Sequence, residues 1–511
     1  MLAWKRSTGG QSRQTITGLA ASTLAVGLSV TGLGIAGVAL APAAQAGGTG
    51  EWTQISDFPT TTRYPQGQNI DEPTTGRIGN NLQVLWRGQL SPDRTSYYTA
   101  VVGLDGATTT PAREIISNWV ALISNPRLIR VNGQQFLAFS GLQSTTTGAP
   151  YTSGAEYAAT SADGLTWSVN AGALSATTSA YVGVGNDAVD YNGTPVWVGD
   201  PGTSSGVNWH IGLSQVDPAP AGSDSTYRLA GCCAYNSAAA KDQVTGAVYT
   251  AFYSNSSTPG ENGIWTGQIL PNQGTFTRAA GSATDYNGTE SSIEPGQRVA
   301  MVARNGGGVY VAYKLGYPDV TGIRIMNVAT GATLDVPGSA GASRISLSAG
   351  TGGRLWVAWT AGGVVKTTHT NTAVTAVGAV GNQGAPAGSQ AIWKVAANSA
   401  AFSPELADEN VDLVATSGSA DGQVNVWHTQ ALRTLGIEAQ ARVARNGTIN
   451  VVVTDAGEPV AGARVKIAGD SATTDSQGRA RLQAPSRNRP YSITALKSGF
   501  AQGKAPIRVG G

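Results

Sequence analysis

From Arg77 to about Leu435 the chain repeats a four-residue pattern: aromatic or apolar, β-former, small, aromatic. It reads Phe136-Leu137-Ala138-Phe139, Tyr249-Thr250-Ala251-Phe252, Tyr310-Val311-Ala312-Tyr313 and Trp356-Val357-Ala358-Trp359. Looser copies are Gln83-Val84-Leu85-Trp86 and Trp197-Val198-Gly199-Asp200, and the weakest is Leu413-Val414-Ala415-Thr416. Successive copies end 53, 61, 52, 61, 46 and 57 residues apart. A short apolar run and a turn precede the motif, as in Leu128-Ile129-Arg130-Val131-Asn132-Gly133. A Gly/Ser/Thr-rich loop and another strand, such as Gly263-Ile264-Trp265-Thr266, follow it. Short β-rich runs between turns, without helical periodicity, predict antiparallel meanders. A unit of about 50 residues cannot bury both faces alone and must stack on its neighbours, as a propeller blade does. The small third residue lets neighbouring sheets approach while the flanking aromatics fill the gaps. Counting copies gives seven blades; six, with an irregular final segment, is the alternative.

Composition agrees. Charged residues are 13% of the 511, against about 25% in a typical soluble protein, and 68 Gly with 23 Pro fill the chain with turns. Those figures exclude a long helical bundle, and 12 Trp with 16 Tyr exclude wholesale disorder. The expected class is all-β: a β-propeller over 47–436, then a small β-sandwich over 437–511.

The N-terminus has the pattern of an export signal. Lys5, Arg6 and Arg13 precede an apolar run from Ile16 to Leu40, which ends in Ala44-Gln45-Ala46. A signal peptidase needs such a small-x-small site, so residues 1–46 are expected to be removed and the mature chain to start near Gly47. The protein is then secreted, with no membrane span left. An uncleaved anchor is the alternative, because the run is long enough to span a bilayer. Charge divides unevenly. The whole chain is +2; the signal carries +3 and residues from Ile437 onward +6, which leaves −7 for 47–436. An acidic body is no footprint for nucleic-acid binding. The basic tail suits a cell-surface polyanion or is a solvated face.

Two stretches carry family resemblances. Ser161-Ala162-Asp163-Gly164-Leu165-Thr166-Trp167 resembles the Asp-box of sialidase-like propellers, a hairpin-turn motif that is structural in that family. Its local physics is simple: Asp163 can accept turn N–H bonds, Gly164 can take positive φ, and Trp167 can pack beneath. Ser419-Ala420-Asp421-Gly422 shares only the turn. In the tail, Gly457-Glu458-Pro459-Val460-Ala461-Gly462-Ala463-Arg464-Val465, then Thr474-Asp475-Ser476-Gln477-Gly478-Arg479-Ala480 and Lys497-Ser498-Gly499-Phe500, resemble carboxypeptidase regulatory-like domains of transthyretin-like fold. Such domains are accessory and imply no catalysis.

In a propeller the first strand of each blade lines the axial channel. Arg77, Arg127, Arg298 and Arg344 fall near the start of such strands, preceding the motif's last residue by 9, 12, 15 and 15. Guanidiniums around one mouth would bind carboxylate or sulfate bidentately; the alternative is that they tie blades together through carbonyls. The sialidase-like resemblance implies such an arginine cluster, plus an Asp acid and a Tyr activated by a Glu. Asp187, Tyr235 and Glu294 are the candidates, with Asp190 and Glu290 beside them, although Asp187 and Asp190 would face opposite sides of a strand. His210, His369 and His428 fall on expected third strands, away from the channel, without metal-ligand spacing. Neither a metal nor a cofactor is called for. Cys232 and Cys233 are adjacent and are the only cysteines. Export favours a vicinal disulfide, which needs a distorted backbone; two thiols or an intermolecular bridge are the alternatives. Three functions fit this set. The leading one is recognition of an extracellular, anionic glycan or polymer at the channel mouth. The others are a sialidase-like glycosidase or polysaccharide lyase using that mouth, and an adhesive or structural surface protein.

Overall fold

The computed structural model describes residues 51–56, 73–91, 94–122, 126–143, 155–169, 187–199, 206–211, 224–231, 234–256, 258–282, 298–316, 319–389, 391–399, 410–418 and 424–510. It is a β-propeller followed by two further sheets. Among the described residues seven antiparallel sheets precede Gly436. Their inner strands, counted first in each, are Thr74–Ile78, Arg127–Val131, Asp187–Tyr191, Ala234–Lys241, Ala300–Ala303, Ser343–Ala349 and Ala391–Ser399; in the second sheet the two-residue strand Ala121–Leu122 precedes and pairs with the same neighbour as Arg127–Val131. Each of these strands contacts the next, and the last contacts the first, so the ring closes. The chain order is simple in six of the sheets. The seventh takes Thr53–Gln54, from the start of the described chain, as its outermost strand against Val424–Thr434. Two residues carry no readable β-pattern, so this closure has no signature in the sequence.

The described residues of every copy of the four-residue motif lie on the second strand of a sheet. The packing explains why that strand needs it. Leu137 and Phe139 face the first sheet, whereas Ala138 meets Ala188 and Trp197 of the third. Val311 and Tyr313 face the fourth sheet, and Tyr310 and Ala312 the sixth. Second and fourth residues therefore pack backward and first and third forward, as alternation along a strand requires. The copies at Trp197 and Leu413 are out of phase: Trp197 packs backward on Ala138 and Leu413 backward on Trp356. Their true registers begin one residue earlier, at Val196 and Asp412, and a one-residue slip exchanges the faces. That slip is why the two copies looked loose.

First and second strands of the second and third sheets are joined at Asn132-Gly133 and Asn192-Gly193, all four residues at positive φ (49°, 81°, 54° and 82°). This is the primed hairpin turn that matches strand twist. Side chains seal neighbouring inner strands near the axis. Ser346 and Ser348 hydroxyls accept the Ala397 and Ser399 amides at 3.0 and 2.8 Å.

From Gly436 the chain forms two sheets around one core. Ile449, Val451, Val453 and Leu482 come from one sheet; Val465, Ile467, Ile493 and Ile507 come from the other. This module is fastened to the seventh sheet by a short parallel pairing, Arg433 with Phe500 and Thr434 with Ala501. Among the described residues no helix is long and apolar enough to cross a membrane. Residues 1–50, where the export signal falls, lie outside the described residues.

Candidate functional site

An axial cavity of about 260 Å³ is lined by residues from all seven inner strands or the turns entering them. Three of the four sequence-selected arginines reach it: Arg77, Arg127 and Arg298, with Asp187 as the carboxylate in the described lining. The strands explain this convergence. Each inner strand ends its sheet, leaving one edge toward the axis, and Arg127 and Asp187 each open their strand.

The polar contacts are specific. Arg127 Nε lies 2.5 Å from Asp187 Oδ1, joining the second sheet to the third. Asp187 also accepts its neighbour's amide, Ala188 N, and the Ala239 amide of the fourth sheet, both at 2.8 Å. It is 2% exposed, and two amides and the Arg127 charge occupy it. Asp187 is therefore built as an acceptor that links three sheets. It forms no acid pair with Asp190, which instead caps the Gly193 turn and faces Lys241 at 3.5 Å. Arg298 reaches from the fifth sheet to the Pro126 carbonyl entering the second, 3.0 Å away. Those sheets are not neighbours, so the bond crosses the channel. The Thr74 hydroxyl donates to the same carbonyl.

Arg77 lies three residues beyond Thr74, about 10 Å along the strand. Its guanidinium donates to Asn398 Oδ1 at 2.9 Å, the Asn398 carbonyl at 3.0 Å and Asp412 Oδ2 at 2.7 Å. His428 and Gln430 share the other Asp412 oxygen, at 2.8 and 3.0 Å. Burial pushes the Asp412 carboxyl upward, but the His428 bond and the Arg77 charge outweigh it and hold it below the usual carboxylate range. Arg344 is absent from the described lining; its Nε donates to the Trp393 carbonyl of the seventh sheet at 2.6 Å. Arg77, Arg298 and Arg344 thus tie sheets together through carbonyls. Arg127 differs: its terminal nitrogens make no hydrogen bond among the described residues.

The remaining candidates are placed as follows. Cys232, Cys233, Glu290 and Glu294 lie outside the described residues, and so does the side chain of Tyr235. His210, His369 and His428 are on third strands, away from the axis. Among the described residues no group of three or more His, Cys, Asp or Glu is placed to hold a metal ion. The Pro126 carbonyl, Asn398 and Asp412 were missed by sequence reasoning. No signal could have shown them, because Arg77 and Asp412 are 335 residues apart.

The turn at 161–167 joins the third and fourth strands of the second sheet. Asp163 Oδ1 accepts the Leu165 and Thr166 amides at 2.8 and 2.7 Å, and Ser161 Oγ accepts the Gly164 amide at 2.8 Å. Trp167 Nε1 donates to the Gly164 carbonyl at 3.0 Å, and Gly164 has φ +76°. Gln83 of the first sheet donates to that carbonyl at 2.6 Å, so the turn clamps two sheets.

A second hollow of about 670 Å³ lies where the sixth and seventh sheets meet the C-terminal module, lined by Val380, Gln383, Leu432, Leu435, Phe500 and Lys504 among others. Among the described residues it holds no converging set of charges.

No protein-family profile and no curated protein matches the sequence. Several solved structures are similar in fold. A mutant Trypanosoma rangeli sialidase displaying trans-sialidase activity is 8% identical and covers 89% of this chain and 88% of its own, with TM-score 0.40. A fucose-specific lectin from Aleuria aurantia is 14% identical, covering 60% and 90%, with TM-score 0.34. An arabinanase from Bacillus subtilis is 16% identical, covering 53% and 98%, with TM-score 0.31.

Proposed function

We propose that this is an exported protein whose propeller recognises an anionic group of an extracellular glycan in its axial cavity. In this reading residues 1–46 are a cleaved signal, 47–436 a seven-bladed propeller with an Asp-box at 161–167, and 437–511 a carboxypeptidase regulatory-like sandwich. Cys232 and Cys233 form a vicinal disulfide. One observation carries the ligand class. Three arginines and one aspartate stand in the described lining of the cavity, inside a body whose net charge is −7. Arg127 is the primary ligand-binding residue, because its fork has terminal nitrogens to offer a carboxylate or sulfate. Arg77 and Arg298 supply fixed positive charge around it. The volume of about 260 Å³ lies below the roughly 300–1,000 Å³ of drug-sized sites, so the cavity takes one terminal sugar rather than a chain.

Recognition is favoured over glycoside cleavage by the state of Asp187. A hydrolase of the two-carboxylate kind needs a second carboxyl group roughly 5–9.5 Å from the first, and Asp187 is committed to two backbone amides and an ion pair. The test is a glycan array with matched anionic and neutral versions of each glycan, run beside a panel of fluorogenic glycosides. Selective retention of anionic glycans without turnover is expected. Turnover would replace recognition by catalysis, and an array with no retained glycan would reject the ligand site.

A further inference from the structure

The outer face of the second C-terminal sheet is a basic surface that the axial site does not use. The strands of this sheet lie in the order Arg442–Val443, Gly503–Val509, Arg489–Leu496, Arg464–Ile467 and Asp470–Thr473. Ile507, Val509, Ile493, Val465 and Ile467 point into the core. Alternation therefore sends Arg442, Arg464, Lys466, Lys504 and Arg508 to the opposite face. The register places Arg442 beside Arg508. It also places Thr494 between Lys504 and Lys466. The other positions on this face are Pro490, Ser492, Leu496, Pro506, Ser471 and Thr473, so it carries no acid. Among the described residues none of the five cations has a carboxylate partner.

Like charges side by side on neighbouring strands repel and lower stability. Five of them spread over about 20 Å along the strands and about 14 Å across them. We propose that this face docks a linear polyanion, a polymer with closely repeated negative charges at the cell surface. A single small anion would meet only one or two of the cations. An extended polymer lying across the strands meets several at once, and multivalency raises its retention. Pro490 and Pro506 leave the centre of the face free of long side chains, so the polymer can approach the sheet closely. The −7 charge of residues 47–436 repels the same polymer elsewhere, which confines docking to this module.

The test uses the full-length secreted protein and immobilised long-chain polyphosphate. Wild-type protein is expected to be retained, to be released by rising salt as exposed charges are screened, and to be displaced poorly by orthophosphate at equal phosphate concentration. Combined Arg442→Glu, Lys466→Glu, Lys504→Glu and Arg508→Glu should weaken retention at least tenfold. Arg479→Glu with Arg481→Glu, on the other sheet of the module, should change it less than about twofold. Thermal unfolding of both variants checks that the module stays folded. Equal loss in the two variants would reduce the effect to net charge and overturn the proposal. So would absence of wild-type retention, equal displacement by orthophosphate, or equally tight retention on immobilised duplex DNA at the same salt. Loss of glycan retention in the array would leave this result untouched, because the two faces are separate.

Discussion

His369, at the end of the third strand of the sixth sheet, sets its Nε2 against Oδ1 of Asp455 in the C-terminal module. Both are buried, the His369 side chain completely and Asp455 to 5% exposure. Arg433 Nη1 lies 2.5 Å and Arg354 Nη2 3.6 Å from the other Asp455 oxygen. Nearby, Glu458 accepts the Thr372 hydroxyl at 2.9 Å and pairs with Arg354. One carboxylate thus gathers three groups of the propeller and holds the module in place. Asp455→Asn takes this buried charge away from His369, Arg433 and Arg354 together, and is expected to cost about 3 kcal/mol. Hydrogen exchange at Phe500 and Ala501 would read this as loosening of the parallel pairing. Unchanged protection there would count against it.

The same junction sets a pH response. Burial pushes the His369 imidazole below its ordinary value, against the pull of the Asp455 bond, and Arg433 and Arg354 add to the depression. A base lowered by folding takes up its proton more readily in the unfolded chain, so stability falls as pH drops below about 6.5. Burial also pushes Asp455 up, but the His369 bond, with the Arg433 and Arg354 charges, outweighs it and leaves it depressed. That contribution is present above about pH 3.9 and is lost as pH falls through the lower folded value. Between pH 7 and 5 the loss therefore belongs to His369. Tm against pH should flatten over this range in His369→Gln; parallel curves for the two proteins would contradict the assignment.

Arg77 bonds to Asn398 and Asp412 and so welds the first sheet to the seventh, the point where the ring closes. Arg77→Met leaves Asp412, 4% exposed, without its guanidinium. The expected cost is about 3 kcal/mol, measurable as a lower guanidinium midpoint. A midpoint equal to wild type would mean that closure does not depend on this weld.

Ala358 is fully buried and packs forward against the seventh sheet. Ala358→Leu adds three carbons where two sheets touch and should cost about 1–3 kcal/mol by overpacking. Chemical denaturation checks it. A neutral result would show slack between the sixth and seventh sheets.

The Asp163 carboxyl is held at about 2 by the Thr166 and Leu165 amides. A depressed acid stabilises above its unfolded value of about 3.9, and that contribution fades as pH falls toward 2. Asp163→Ala should lower Tm at pH 7, and the gap to wild type should narrow below pH 3.9. A gap independent of pH would point to a packing effect.

Much of the architecture is written in local sequence. The motif's small third residue at Ala138, Ala251, Ala312 and Ala358 marks where one sheet meets the next, and Asn132-Gly133 marks the hairpin that turns an inner strand outward. The all-β propeller class followed from these. Convergence of Arg77, Arg127 and Arg298 on the axis was also visible, since the position of each in its repeat sets its place in the ring. The partners were not. Asp187 is a plausible acid in sequence, and only the approach of the Ala239 amide and Arg127 shows it as a linker. Arg344 has a similar offset to Arg298, yet it turns to Trp393; its own φ of +51° marks an irregular strand start that no periodicity encodes. The phase slips at Trp197 and Leu413 escaped for the same reason: repeats were aligned by residue type, whereas packing aligns them by face.

Arg127 is where recognition and structure separate, because its Nε is tied to Asp187 and its terminal nitrogens are not tied among the described residues. The deciding measurement is the dissociation constant of the best anionic array glycan for wild type and for Arg127→Gln, with equal Tm as the control for folding. Loss of a charge-assisted bidentate contact is expected to weaken binding roughly tenfold or more, with little change toward the neutral counterpart. Equal affinity in both proteins would place the glycan elsewhere and contradict an axial binding site.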